Sequence, residues 1–290
     1  MRSDSIRFTN PLTANPLGSE HPQPFSLRVD NPEPVVRVAI VTVTWARSPA
    51  EAQLLQRALR TLSKTGLPIY VGEGGSGRDF IRALGRLPNL RVCSLDTSCR
   101  PTLVNQLRAA LTRAEETHPD YLLYTEPDKR AFFTQGLPML IRTAQSGARR
   151  PGLVLAARTP RSFATFPKGQ QIAERFMNRL CAEALGQVGD YTYGPMLISA
   201  RLLKHTPPLP ENLGWGWRFF LMAVAHQLRT PTVFCTVRTQ CPASQRNEDD
   251  ASDRDYRLRQ LIENVTGLAN GWTCLLDQPA QPFPALVTAA

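Results

Sequence analysis

The chain has 290 residues, 42% of them hydrophobic, and a formal net charge of +10. That apolar content supports a packed core and excludes an intrinsically disordered chain, and no run reaches the ~18 apolar residues of a membrane-spanning helix. The basic balance suits an anionic partner, but the arginines are scattered and no aromatics interleave with them, which argues against a nucleic-acid face.

Residues 1–34 are rich in Pro, Asn and Ser and lack the apolar core of a signal peptide, so they read as a flexible leader. Residues 35–276 then read as a single domain with two halves, 35–132 and 133–276, followed by a loose tail from 277 to 290. The six cysteines include no Cys-x-x-Cys pair; Cys93 and Cys99 come nearest, and no zinc spacing fits. Free thiols in a reducing compartment are the simplest account. The expected location is therefore cytoplasmic, with peripheral contact to an inner membrane face compatible with the charge. Asn264-Val265-Thr266 matches a glycosylation acceptor but carries little weight without a secretion signal.

Residues 37–45 (RVAIVTVTW) form a β-branched run and predict the first strand. Ser48-Pro49-Ala50-Glu51 is a capping box with Pro at the first helical position, and Leu54, Leu55, Ala58, Leu59 and Leu62 fall on one face of the helix it opens. Gly66 stops that helix. A strand over 67–72, a Gly-rich turn at 73–77, a short helix over 79–87 and a strand over 90–95 follow. Pro101 opens a further helix, and 121–125 is a fourth strand. This β-α alternation predicts a three-layer α/β/α sandwich on a mostly parallel, Rossmann-like sheet. Ligands then sit beyond the carboxyl ends of the strands, at Thr44/Trp45, Glu73, Asp96 and Glu126/Asp128. The second half predicts helices over 134–146, 170–185, 217–228 and 253–268, with strands over 152–157, 191–199 and 232–237.

The sharpest feature is Glu126-Pro127-Asp128. Pro127 ends ladder pairing, and two acids at a spacing of two turn toward one side of an extended chain. Two hard oxygen donors at a strand's carboxyl end suit Mg²⁺ or Mn²⁺ on a diphosphate. An acidic turn that caps the next helix is the plainer alternative. Leu213-Gly214-Trp215-Gly216-Trp217-Arg218 is the second distinctive stretch; its indoles either stack on a sugar face or pack at a helix start. His118, His205 and His226 have no metal or triad spacing and read as structural.

An acid-x-acid triplet after the fourth strand resembles the glycosyltransferases of the GT-A type. Glu126 stands where the first Asp of their DxD motif would be, over a resemblance spanning roughly residues 35–272. That resemblance implies transfer of a hexose from a nucleotide-diphosphate sugar to a small-molecule, glycan or lipid acceptor, with Mn²⁺ or Mg²⁺. It assigns Asp128 and Glu126 to the metal, with Glu126 also toward the ribose. It places Thr44, Glu73, Arg100 and Asn105 around the nucleoside. It also likens the 213–218 stretch to a Gly-Trp-Gly-x-Glu-Asp segment beside the acceptor, with Trp217-Arg218 where the acids would be. Glu211 then becomes the substitute general base, and Glu211, Trp217 and Arg218 the catalytic candidates; retention of configuration or loss of catalysis are the alternatives. Gln245 or Glu248 would replace a third metal ligand, and Arg246 would meet phosphate. Two rival readings remain. Residues 72–78 (GEGGSGR) resemble the phosphate loop of sugar nucleotidyltransferases, although that loop follows a first strand; and a degenerate GT-A domain would bind without catalysis.

Overall fold

The computed structural model describes residues 36–95, 100–146, 150–246 and 251–275. The expected leader and tail, together with Asp96, Cys99 and Glu248, lie outside the described residues.

The first half runs β1 (Val38–Thr44), α1 (Pro49–Ser63), β2 (Ile69–Glu73), α2 (Arg78–Leu84), β3 (Leu90–Cys93), α3 (Leu103–Glu115) and β4 (Tyr121–Tyr124). The second runs α4 (Arg130–Gln145), β5 (Leu153–Arg158), α5 (Pro160–Phe163), α6 (Lys168–Leu185), β6 (Met196–Ser199), α7 (Ala200–Lys204), α8 (Trp217–Gln227), β7 (Thr232–Val237) and α9 (Ala251–Thr273). The strands form one seven-stranded sheet in the order β3-β2-β1-β4-β6-β5-β7. All neighbours are parallel except β6, which runs antiparallel to both β4 and β5. The predicted class, a mostly parallel α/β/α sandwich, is what forms.

The strands are apolar throughout because both faces are covered. Ile40 and Leu123 pack on one face with Leu59 of α1, Phe80 of α2 and Leu140 of α4. On the other face Val43 and Tyr124 meet Leu107 of α3 and Phe220 of α8. Each such side chain contributes roughly 1.5–3 kcal/mol on burial. α1 begins as its capping box dictates: Ser48 Oγ accepts from Glu51 N at 3.2 Å, and Glu51 Oε2 accepts from Arg47 N at 2.9 Å. No helix among the described residues is long and apolar enough to cross a membrane.

Three boundaries differ most from expectation, each for a physical reason. The strand expected over 191–199 pairs only from Met196. The Tyr191 and Thr192 N–H groups bond instead to Asn178 Oδ1 and Asp190 Oδ1, Gly194 turns at φ 118°, and Pro195 has no N–H to give. α4 starts at Arg130 because the Pro127 turn, closed by Lys129 N to Glu126 O at 3.4 Å, feeds straight into it. α9 runs past Gly267 and Gly271 to Thr273 because those glycines are contact points and not stops. A Cβ on Gly267 would lie 2.0 Å from the Gly216 carbonyl oxygen, and one on Gly271 would lie 2.3 Å from that of Phe220. Asn264 of the acceptor sequence is buried in the same helix, where a glycan has no room.

Candidate active site

In the order β3-β2-β1-β4, the chain leaves β1 in one direction and returns to β4 on its other side. This is a topological switch point, where a crevice opens beyond the strand ends. Val41 is in register with Tyr124, and Thr125 N donates to Val41 O at 3.3 Å, so β1 runs three residues further to Thr44. There Thr44 is level with Glu73, and its carbonyl accepts from Gly74 N at 2.8 Å. Thr44, Glu73, Glu126 and Asp128 therefore share one rim.

The two acids of the triplet are placed differently. Glu126 is nearly buried, with its carboxylate against Gly194: a Cβ there would sit 2.2 and 2.3 Å from its two oxygens, so only glycine fits. From the other side Arg218, at the start of α8, brings Nη1 to 3.6 Å from Glu126 Oε1, an ion pair too long for a hydrogen bond. Glu126 Oε2 and the Arg218 Nε and Nη1 atoms are buried with no hydrogen-bond partner in the protein. Asp128 is half-buried on the turn that follows. Lys129 sits beside both acids, its ammonium 5.7 Å from the centre of the Tyr193 ring. Burial alone would lower its pKa, but the Asp128 and Glu126 charges hold it above the usual lysine value. Tyr124, its hydroxyl also unpartnered, is pushed well above the ordinary tyrosine range by burial and then by Glu126.

The other predicted residues have mixed fates. Glu73 folds back on its own turn, accepting from Gly75 N at 2.9 Å and Ser76 N at 2.7 Å. Those are the amides a phosphate loop would offer to its ligand, so the turn is filled from within and the nucleotidyltransferase resemblance loses its footing. Asn105 reaches back from α3 to the Arg100 carbonyl at 3.0 Å, leaving the Arg100 residue itself exposed at the rim. Trp217 is 1% exposed and meets Tyr124 edge-to-face at 4.7 Å, so it offers no open face for a sugar. Glu211 is exposed and pairs with Arg108 of α3 at 3.3 Å. Arg246 donates to Cys241 O and Gln240 Oε1, and Gln245 sits in a short 3₁₀ turn; Arg246 thus has protein partners in place of a phosphate.

Two groups, Tyr256 and Arg158, escaped the sequence reading, whereas Trp215 belongs to the stretch it singles out for the acceptor side. Trp215 is held by its backbone N–H to Glu263 Oε2 at 2.8 Å, and its side chain hydrogen-bonds to Tyr256 of α9. Tyr256 is 42% exposed, and its pKa is raised by burial and then by Glu263 and Glu126. Arg158, at the end of β5, is fully buried between Asp190 (Nε–Oδ2 2.7 Å) and Glu174 (Nη2–Oε2 2.7 Å) and lies over the rings of Phe163, Phe166 and Tyr193. Both are α9 or β5 residues whose partners lie at least 16 positions away, and no local pattern marks them.

As a metal site the crevice offers two carboxylates. No group of three or more His, Cys, Asp or Glu converges among the described residues. That set fits a hard cation held partly by phosphate and water, the usual arrangement for Mg²⁺-type ions on nucleotides.

No family model matches the chain, and no curated protein matches it. Solved structures do. Glucosyl-3-phosphoglycerate synthase from Mycobacterium tuberculosis, with Mn²⁺, UDP and phosphoglyceric acid, is 18% identical over 82% of this chain and 78% of that one, at a TM-score of 0.58. Its complex with Mn²⁺, UDP-glucose and glycerol 3-phosphate is 18% identical over 81% and 80%, at 0.55. The fold is GT-A.

Proposed function

We propose that this chain is a metal-assisted glycosyltransferase that moves a sugar from a nucleotide-diphosphate sugar to a small acceptor. The observation that carries the reading is the acid pair at the switch point. One carboxylate is clamped by Arg218 and Gly194 and the other is half-buried two residues on, at the end of a strand whose rim also holds Thr44 and Glu73. The donor nucleotides and Mn²⁺ in the similar structures support it.

In this reading Asp128 meets the cation, and Glu126 receives a donor hydroxyl through its unpartnered Oε2. When bound, the cation offsets charge on the departing diphosphate. Thr44 and Arg100 line the nucleoside side, where Glu73 and Asn105 shape the turn and the α3 start that enclose it. Trp215 and Tyr256 line the acceptor side, backed by Trp217 from the core. The acceptors in the similar structures are small phosphorylated acids and alcohols, and a +10 chain suits such anions. None of the five described cysteines is in a disulfide, which favours a reducing, cytoplasmic setting.

Calorimetry with UDP, GDP and their sugars, with and without Mn²⁺, tests the proposal. Binding of a nucleotide sugar that requires Asp128 supports it. Absence of any nucleotide binding would favour a GT-A domain that binds another partner without catalysis.

A further inference from the structure

Arg218 stands in the first turn of α8 with its side chain 4% exposed, and its guanidinium faces the carboxylate of Glu126 from across the crevice floor. Gly194 closes the opposite side of that carboxylate so tightly that it has no room to swing away. The pairing is incomplete: Arg218 Nε and Nη1 and Glu126 Oε2 all lack hydrogen-bond partners in the protein. Beside them, Lys129 accompanies Asp128 on the turn. Two carboxylates are thus matched by two cations. The next buried cation, Arg158, is already committed to Asp190 and Glu174.

We propose that Arg218 is a built-in counter-cation that keeps Glu126 engaged, so that the acid pair admits a divalent cation only together with the diphosphate. The inference rests on the donor chemistry proposed above. Two acids with no cations near them attract a hard divalent ion by themselves, but a guanidinium 3.6 Å from one of them offsets its charge and repels the ion. Arginine stays charged at any working pH, so the block is not lifted by deprotonation. A diphosphate reverses the balance. Its several negative charges favour the cation and offset the nearby guanidinium charge, whose buried Nε and Nη1 the protein leaves unmet.

The test is titration of Mn²⁺ into the full chain by calorimetry, first without nucleotide and then with saturating UDP. The nucleotide-free protein is expected to bind Mn²⁺ at least tenfold more weakly than the UDP-loaded one. Arg218→Met frees Glu126 and should tighten nucleotide-free Mn²⁺ binding by at least tenfold; adding Glu126→Gln in the same chain should return it to the wild-type value. Should circular dichroism show that Arg218→Met fails to fold, Arg218→Gln, which still offers Glu126 a donor, carries the same expectation. Equal Mn²⁺ affinity with and without UDP overturns the inference. So does an unchanged nucleotide-free affinity in a folded Arg218 variant. If UDP binds under no condition, the glycosyltransferase reading fails, while the nucleotide-free titrations of the variants still decide the role of Arg218.

Discussion

The two halves of the sheet hold their polar strand-end residues in opposite ways. Around β1 to β4 the partners are mostly close in the chain: Glu73 accepts from the amides of Gly75 and Ser76, and Asn105 from α3 reaches the Arg100 carbonyl. Around β5 to α9 the partners are distant charges and close backbones. Arg158 draws in Glu174 and Asp190, and Gly216 presses on Gly267. In the first half these groups are satisfied mostly within their own turns. In the second they are held by partners from other elements.

Breaking the largest of those contacts should show the difference most clearly. Arg158→Met leaves two buried carboxylates without their cation and is expected to cost about 3–5 kcal/mol in a urea titration. A loss below about 1 kcal/mol would erase the distinction between the halves. The same cluster gives a pH dependence. Burial raises the Asp190 pKa, but hydrogen bonds and charge from Arg158 bring it below its ordinary value. Its contribution is therefore complete above the unfolded value of about 3.9 and is lost as pH falls through the lower folded value, so acid unfolding of wild type should show a component absent from Arg158→Met.

In the first half, Glu73→Ala removes two charge-assisted bonds from a single turn and should cost about 1.5–3 kcal/mol. Its effect should stay local: hydrogen exchange is expected to rise at Gly75 and Ser76 and not across β5. Gly216→Ala forces α8 and α9 apart and should cost about 1–3 kcal/mol, with exchange rising along both helices. The smallest change in stability, within about 0.5 kcal/mol, is expected for Asp128→Asn, a half-buried turn residue with no packing role. Metal-dependent nucleotide binding should nevertheless vanish in that variant. If calorimetry finds it intact, Glu126-Pro127-Asp128 is a turn and no more.

This contrast also explains what could be read from the sequence. The β-branched run of β1, the Ser48 capping box and the Pro127 stop are short-range codes, and each announces its element within a few residues. The acid pair was legible for the same reason. Trp217 was ambiguous because an indole at a helix start serves equally for stacking or for packing, and only the distant Tyr124 ring decides between them. Arg218 was visible as a departure from the expected acids, but its pairing with Glu126 spans 92 positions by residue number and has no local trace. The direction of β6 was equally hidden: a four-residue apolar strand reads alike in either orientation.

The antiparallel β6 has a consequence for how the chain reaches this structure. β4 and β5 do not pair with each other; β6 lies between them and supplies the hydrogen bonds to both. Four residues, Met196–Ser199, are therefore the seam between a β3-β2-β1-β4 block and a β5-β7 block. β5 is complete by residue 158, well before its neighbour emerges, so during synthesis its inner edge must wait unpaired for about 40 residues at ~5–20 residues per second. The N-terminal block has all four strands by residue 124 and can close before β6 emerges, although its β1–β4 pairing is as long-range as that of the seam and of the same slow kind. The exposed edges of β4 and β5 in that interval are the points at which a nascent chain is most open to pairing with the wrong strand.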